Sequence, residues 1–264
     1  IRNLTIGTQD APVPGVSQIA GRVMRWENVT VYSTGCASGG TYGYGAWFGA
    51  AWGSHTFVNC TLYGSVDYSG GNNCALWVGG LFGGNTLRFE GCTAYGSVKG
   101  NNFNSIFVGY INSGNVYFEN CVSYATSVNA GGAWASGGWV GNGEAGGTST
   151  FLNCINYGDI DANGKHAGAF VVWNNNRTLT MENCINFGSV LGAGHVGGIA
   201  GLAGVTSYFT YCLNVGNVTN NGEGGTGGIV GYAKTEMIEG CANIGTITAP
   251  SGSGNGTGNI VGDV

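Results

Sequence analysis

Charged residues are scarce in this sequence. Only 8% of its 264 residues are Asp, Glu, Lys or Arg, and the eight basic residues are scattered singly in a chain of net charge −5. A protein that binds nucleic acid needs a stripe of basic side chains to replace the counterions of the phosphates, so we expect no nucleic-acid partner. Long apolar runs are missing too. None approaches the ~20 residues of a membrane-spanning helix, and we expect no membrane insertion.

Good helix-forming segments are also lacking. Glycine, which is costly inside a helix, accounts for 54 residues, and the remainder is rich in Val, Ile, Thr, Tyr, Phe and Trp, which favour strands. The glycines do not recur at every third position, so a collagen helix is excluded. Hydrophobic residues make up 43% of the chain, and a disordered chain would be poor in them. The composition therefore predicts an ordered all-β protein.

A repeated unit organises almost the whole chain, and its clearest copy is Met181–Gly201. In this copy an apolar residue is followed three places later by Cys, then by Asn-aromatic-Gly, a short β-branched run, a Gly/Asn loop and a Gly-Gly-Ile segment. The cysteines that mark the register are Cys60, Cys92, Cys121, Cys154, Cys184, Cys212 and Cys241. They are separated by 32, 29, 33, 30, 28 and 29 residues. A near-constant period of this size is the signature of stacked repeats.

The sequence predicts a single β-solenoid that runs continuously over residues 1–264, with about eight to nine coils and three short strands per coil. Residues 1–85 should form irregular coils and residues 86–264 regular ones. In the copies of the repeat, the residue three places before the register cysteine is apolar, and the next residue faces outward and is often Glu. This alternation fixes which side of the first strand faces the core. In the clearest copy the predicted strands are Leu179–Ile185, Ser189–Leu191 and Gly198–Leu202.

A corner of the form Asn-x-Gly separates the first two strands of each regular coil. Its copies begin at Asn156, Asn186, Asn214 and Asn243. We expect the glycine to supply a positive φ angle at this corner and the asparagine to bond the chain just after it.

The combination of Asn-Cys-x-Asn-x-Gly, as in Asn183–Gly188, with Gly-Gly-Ile-Val-Gly, as in Gly227–Gly231, resembles a known class of repeat. It is similar to the GLUG-type repeats of extracellular surface proteins, including those that flank the catalytic part of IgA-specific metallopeptidases. The resemblance extends from about Trp26 to the C terminus and is strongest from Phe151 onward. It implies a β-solenoid in an adhesive or scaffolding protein that is extracellular or attached to the cell surface.

The cysteines do not have the spacing of a metal site, which needs ligands that converge from different directions. One cysteine per coil predicts a line of buried thiols that pack as small hydrophobic groups, and Val29 takes this position in the first coil. Cys36 and Cys74 lie outside the register in adjacent coils. They are the candidate pair for a disulfide.

The sequence does not predict a cluster of catalytic groups. Glu90 and Glu119 fall on neighbouring coils, at a separation that a glycosidase could use, but nothing nearby gives the two carboxyl groups different environments. His166 and His195 fall near one corner, without a nucleophilic partner that the sequence can specify. We therefore expect no enzymatic activity, no cofactor and no bound metal.

Several asparagines lie in the Asn-x-Ser/Thr pattern that accepts N-linked glycans in secreted proteins. The candidates are Asn217, Asn255, Asn3, Asn28 and Asn176.

Neither end of the chain carries an obvious capping segment. Because the sequence begins at Ile1 rather than Met, we expect a processed or excised piece of a longer protein. An open coil presents unpaired backbone groups and a slice of the core, which invite another coil. The predicted assembly ends are Ile1, Leu4, Ile6, Ile260, Val261 and Val264.

Three hypotheses for the function follow. The first is a structural subunit or segment of an extracellular fibre or surface appendage, whose partner is another copy, head to tail, or further repeats of the same chain. The second is an adhesin or carbohydrate-binding stalk that contacts glycans through aromatic side chains. The third is a β-helical polysaccharide-degrading enzyme, for which the required acid cluster is missing. The aromatic candidates for the second are Trp47, Trp52, Trp77, Trp134 and Trp173.

Overall fold

The computed structural model describes residues 1–38, 43–132, 134, 136–163, 166–250 and 256–264, and these form strands and turns without any helix. The predicted β-solenoid is confirmed. One parallel sheet of 28 strands includes both Arg2–Ile6 and Val261–Asp263. Each coil contributes strands to three walls, which we call the first, second and third wall in the order in which the chain passes through them.

The first wall contains the strands that run into the Cys register. They are Arg2–Ile6, Met24–Thr34, His55–Val58, Thr86–Glu90, Asn115–Glu119, Thr148–Leu152, Thr178–Glu182 and the second halves of Ala200–Thr210 and Val230–Glu239. The register is exact from coil to coil: Phe89 pairs with Phe57 on one side and with Phe118 on the other.

The second wall follows the cysteine. Its strands are Thr61–Tyr68, Thr93–Gly100, Val122–Ser123, Thr126–Asn129, Ile155–Asn156, Ile160–Asp161, Ile185–Asn186, Val190–Gly192, Leu213–Asn214, Val218–Asn220, Ala242–Asn243 and Ile247–Thr248. The second half of Met24–Thr34 also belongs to this wall. The wall is unbroken in the early coils and consists of two short strands in each later coil, where the Asn-x-Gly corner, or Ser123-Tyr124-Ala125 in one coil, interrupts it.

The third wall closes the coil. Its strands are Ser17–Ala20, Phe48–Ala51, Val78–Leu81, Val108–Ile111, Val140–Gly143, Val171–Asn174, the first halves of Ala200–Thr210 and Val230–Glu239, and Val261–Asp263. Very short strands precede it at Ala37–Ser38, Tyr44–Gly45, Cys74–Ala75, Ala167–Gly168, Val196–Gly197, Thr226–Gly227 and Thr257–Gly258. The sequence did not predict this last set, which includes two-residue strands too short to show a periodic pattern.

The stack makes about seven turns, slightly fewer than the eight to nine coils predicted. The two ends of the stack are not buried. Residues 1–5 are all exposed, and no described residue after Gly240 is fully buried. A core residue needs a coil on both sides of it, and these terminal segments have a neighbour on one side only.

Aromatic rings fill the core of the early coils. Phe57, Phe89, Phe118 and Phe151 stack along the first wall, with ring centroids 4.7–4.9 Å apart. A second column stands at the entry to the third wall and consists of Trp47, Trp77, Phe107, Trp139 and Phe170. The two columns meet edge to face, a preferred arrangement of aromatic quadrupoles. We call the coils from Trp26 to Phe151 the aromatic half.

A buried asparagine ladder characterises the later coils. The Nδ2 atom of Asn156 donates to Oδ1 of Asn186 at 2.9 Å, and Asn186 donates to Asn214 at 2.8 Å. Asn214 continues the ladder to Asn243, and Asn243 to Asn259. Each Nδ2 from Asn156 to Asn243 also donates to the carbonyl of the glycine two residues later, so the expected bond from Asn to the following chain is confirmed. We call the coils from Asn156 onward the asparagine half.

The role predicted for the corner glycine was wrong. Gly188 does not have a positive φ angle. It is required because a Cβ atom there would overlap the carbonyl oxygen of Gly158 in the coil before it, and Gly216 stands against Gly188 in the same way. The close approach of stacked backbones, rather than a left-handed conformation, selects glycine at this position.

Positive φ angles occur instead at the residue before the Cys register. Asn28, Asn120, Asn153 and Asn183 have φ angles of 52–54°. This conformation disfavours most side chains and is best tolerated by glycine and asparagine, which explains the Asn-Cys pair of the repeat. It also divides the predicted strand Leu179–Ile185 into Thr178–Glu182 and Ile185–Asn186.

Candidate functional site

The first coils of the stack leave space beside their core. A hollow of about 560 Å³ is lined by Val16, Met24, Trp26 and Phe48, among others. Trp26 and Phe48 belong to the aromatic packing that continues without interruption into the next coils. The apolar surface that this hollow exposes belongs to Val16 and Met24, which are half-buried, whereas Trp26 and Phe48 are only 4% and 1% exposed.

The predicted assembly ends lie at the two ends of the stack. Ile1 and Leu4 are 47% and 44% exposed, and their strand pairs only with Met24–Thr34 among the described residues. At the other end Val264 is 80% exposed. Ile6, Ile260 and Val261 are half-buried and pack against the core.

The predicted glycan acceptors occupy different settings. Asn3 and Asn28 form part of an outer ladder, in which Nδ2 of Asn28 donates to Oδ1 of Asn3 at 3.0 Å. Asn217 is exposed and its Oδ1 accepts the backbone N–H of Thr246. Asn176 is exposed in a loop after the third wall. Asn255 lies outside the described residues, and glycosylation of all five stays a prediction.

The cysteine column is buried as expected, apart from its last member. Six in-register thiols are fully buried and Cys241 is half-exposed. Burial raises the pKa of the Cys92 and Cys184 thiols, which keeps them protonated and unreactive. Val29 stands in the same column, fully buried.

Cys36 and Cys74 are both free thiols in the structure. Burial raises the pKa of Cys74 to about 12, and the nearby Cys36 contributes in the same direction. Their disulfide stays a prediction for oxidising conditions.

The five tryptophans of the glycan hypothesis divide into two groups. Trp47 and Trp77 are fully buried in the aromatic half. Trp52 and Trp134 are 41% and 51% exposed, and Trp173 is half-buried. Only the second group is available to a ligand.

The acidic and histidine pairs are brought together as the register predicts. Glu90 pairs with Glu119, and Arg88 lies between them, in ion-pair contact with both and with its guanidinium 3.9 Å from the Tyr117 ring. Both carboxylates are thus paired with the same arginine and form a partly exposed ion-pair network with it.

His166 and His195 stack at 5.1 Å. Their Nδ1 atoms accept the backbone N–H groups of His195 and Gly225, respectively. Each imidazole thereby supports the coil next to it. Burial lowers the pKa of His195, with an opposing contribution from Asp263.

No group of three or more His, Cys, Asp or Glu residues in the described part of the chain is placed to hold a metal ion. The same residues contain no helix long and apolar enough to cross a membrane.

These features define the chain as a β-solenoid repeat protein. Comparison with family models, with curated proteins and with solved structures finds no match.

Proposed function

We propose that this chain is a non-enzymatic structural segment of an extracellular fibre or surface appendage, extended along its axis by coil-on-coil contact. The observation that carries the proposal is the apolar hollow beside the first coils, where Val16 and Met24 are half-buried and the first strand exposes Ile1 and Leu4. The extracellular location rests on the resemblance of the repeats to those of surface proteins.

Burial of apolar surface favours the binding of a further coil at the end of the solenoid. Burying ~500 Å² of apolar surface is worth on the order of 10 kcal/mol before the entropy of association is subtracted. The strand edges at Arg2–Ile6 and Val261–Asp263 add backbone donors and acceptors that a further coil can pair. A contact between opposite ends does not close on itself, so copies of the chain that use it form a filament.

Electron microscopy and sedimentation of the purified chain at rising concentration test the proposal. We expect rods that lengthen with concentration. Leu4→Lys and Ile260→Lys should keep single rods folded and prevent their extension, because each buries a charge in the axial contact. Glu182→Lys is the control, since Glu182 is exposed on a side wall. A monomer at all concentrations would contradict head-to-tail assembly.

A further inference from the structure

A groove of about 400 Å³ runs across the middle coils beside the third wall. Three successive strands place Tyr110, Asn142 and Trp173 in register there. The groove is lined by Asn112, Trp134, Asn142, Glu144, Trp173 and Asn175, with further contacts at its rim. Its size falls within the ~300–1,000 Å³ typical of small-molecule sites.

Asn142 leaves an acceptor unused in this groove. The residue is 1% exposed, and its Nδ2 donates to Oε1 of Glu144 at 3.1 Å. That bond fixes the orientation of the amide, because only the nitrogen can donate to a carboxylate. Oδ1 of Asn142 then has no hydrogen-bond partner among the described residues. A buried acceptor without a donor is costly, and a ligand hydroxyl would satisfy it.

Glu144 is held in place by its neighbours. Its Oε2 atom accepts the hydroxyl of Tyr110 at 2.8 Å, while Oε1 accepts from Asn142. Asn112 in turn donates to the Tyr110 hydroxyl at 3.4 Å. The carboxylate is exposed and retains further acceptor capacity. The groove therefore presents a fixed array of oxygen acceptors and amide groups.

Two indoles form the apolar side of the groove. The rings of Trp134 and Trp173 lie 6.4 Å apart at an angle of 74°. Trp134 is 51% exposed. Flat aromatic faces beside a few oriented polar groups suit a ligand that has both C–H faces and hydroxyls.

Arg177 ties together the loops that carry the polar groups. It is fully buried, and its guanidinium donates to the carbonyls of Gly114, Ala145 and Thr148 and to the hydroxyl of Ser149. Gly114 follows Asn112 in the chain, Ala145 follows Glu144, and Arg177 itself follows Asn175 and Asn176. One side chain thus fixes three neighbouring coils at the rim. Arg177 is a positioning residue, and a preorganised rim lowers the entropy cost of binding.

The charge of the residues that line the groove determines which ligands can bind there. Glu144 is the only charged side chain among the described residues that line the groove. Anionic ligands would meet this carboxylate and no cation among the described lining residues, and purely apolar ligands would bury the amides without partners.

We propose that this groove is a binding site for a neutral oligosaccharide, with Trp134 and Trp173 against the sugar faces and Asn142 and Glu144 accepting its hydroxyls. The site does not depend on whether the solenoid polymerises.

Calorimetry on the full chain, produced in a host that leaves Asn176 unglycosylated, tests the proposal. The probes are cello-, malto-, manno- and xylohexaose, with hexagalacturonate as the anionic counterpart. We expect at least one neutral hexasaccharide to bind and hexagalacturonate to be rejected. Trp173→Ala and Asn142→Leu should each weaken binding at least about tenfold. Trp52→Ala is the matched control, since Trp52 is an exposed indole outside the groove, and it should bind as the native chain does.

Tryptophan fluorescence separates stacking from positioning. The change in emission at saturating sugar should be smaller in Trp173→Ala, in which Trp134 is the remaining indole of the groove. The full change should persist in Arg177→Met, which weakens affinity by loosening the rim without removing the stacking ring. The proposal is overturned if the folded native chain binds none of the neutral sugars at millimolar concentration, if it prefers hexagalacturonate, or if Trp173→Ala binds as tightly as Trp52→Ala.

Discussion

The aromatic half and the asparagine half solve the same problem with different chemistry. Both must hold successive coils in register along one axis. The early coils do so with rings, as in the stack of Phe89 on Phe118 at 4.8 Å. In the later coils Phe170 and Phe209 are still buried rings, but Met181, Ile199 and Ile229 take other positions that earlier held rings. Hydrogen bonds between asparagines run through the corner there. At the ladder position the early coils carry Val31, Leu62, Ala94 and Ser123.

The two halves differ in how many interactions a single substitution disrupts. A stacked ring gains about 0.5–1.5 kcal/mol beyond its burial from each neighbour, and its loss leaves no polar group exposed to apolar surroundings. A ladder asparagine serves the coil before it and the coil after it. Removing one leaves buried donors and acceptors unpaired on both sides, at about 1–3 kcal/mol for each group. The asparagine half should therefore be the more sensitive to single substitutions.

The largest effect is expected for Asn186→Leu. The substitution removes the acceptor of Asn156 and the donor to Asn214, all within the buried corner. We expect the free energy of unfolding to fall by about 4 kcal/mol, measured by denaturant titration. Ser123→Ala, at the same column position in the aromatic half, should cost about 1 kcal/mol. Equal losses for the two variants would contradict the distinction between the halves.

Gly188→Ala comes next. A Cβ atom at this corner would overlap the backbone of Gly158, and the coils would have to separate locally. We expect a loss of about 3 kcal/mol in the free energy of unfolding. The control is Gly70→Ala, because a Cβ atom at Gly70 meets nothing within 4 Å; its effect should stay within about 0.5 kcal/mol. A melting temperature of Gly188→Ala equal to that of the control would refute the close approach of the stacked corners.

Phe118→Leu tests the aromatic half with the same replacement residue as Asn186→Leu. The leucine keeps an apolar group in the core but loses stacking on Phe89 and Phe151. We expect a loss of about 1–2 kcal/mol, smaller than for Asn186→Leu. Both variants should be measured in the same titration. A larger loss for Phe118→Leu would reverse the ranking of the two halves.

The smallest effect concerns pH in the asparagine half. Burial lowers the pKa of His195, whose Nδ1 accepts the N–H of Gly225, and the surrounding groups are His166, Tyr232 and Asp263. Above pH ~6.5 the residue is neutral in the folded and unfolded chains alike. As the pH falls through this value, the unfolded chain takes up the proton first, and stability declines. Melting curves between pH 8 and pH 5 should show this decline for the native chain and a weaker one for His195→Gln.

Most of the fold could be predicted from the sequence because each wall repeats. The alternation around Phe89 and Glu90 recurs in coil after coil, and the Cys register gives the period. The residue before each cysteine, which has a positive φ angle, is Asn in most coils, Gly91 or Gly240 in two others and Tyr211 in one. The positive φ angle was attributed to the corner glycine instead. Both residues of the Asn-x-Gly corner are small or polar, and sequence alone does not separate a positive φ from a close backbone approach.

The groove could not be predicted for the opposite reason. The residues in register with Trp173 change from each coil to the next, and include Asn142, Leu202 and Tyr232. A feature that occurs once leaves no periodic trace. Trp134 and Trp173 also come from different positions of the repeat, so their spacing along the chain does not indicate that they meet. Trp134 and Trp173 come together beside Asn142 only when the chain is folded.

The asparagine ladder has a consequence for how such a chain changes length over generations. A duplicated segment of one repeat in the asparagine half carries its own donor and its own acceptor, so it inserts into the ladder without altering either neighbour. In the aromatic half a duplicated coil brings a ring that must match the size and tilt of the rings on both sides. Gains and losses of whole repeats should therefore accumulate after Asn156, and related chains of different length should keep the coils before it.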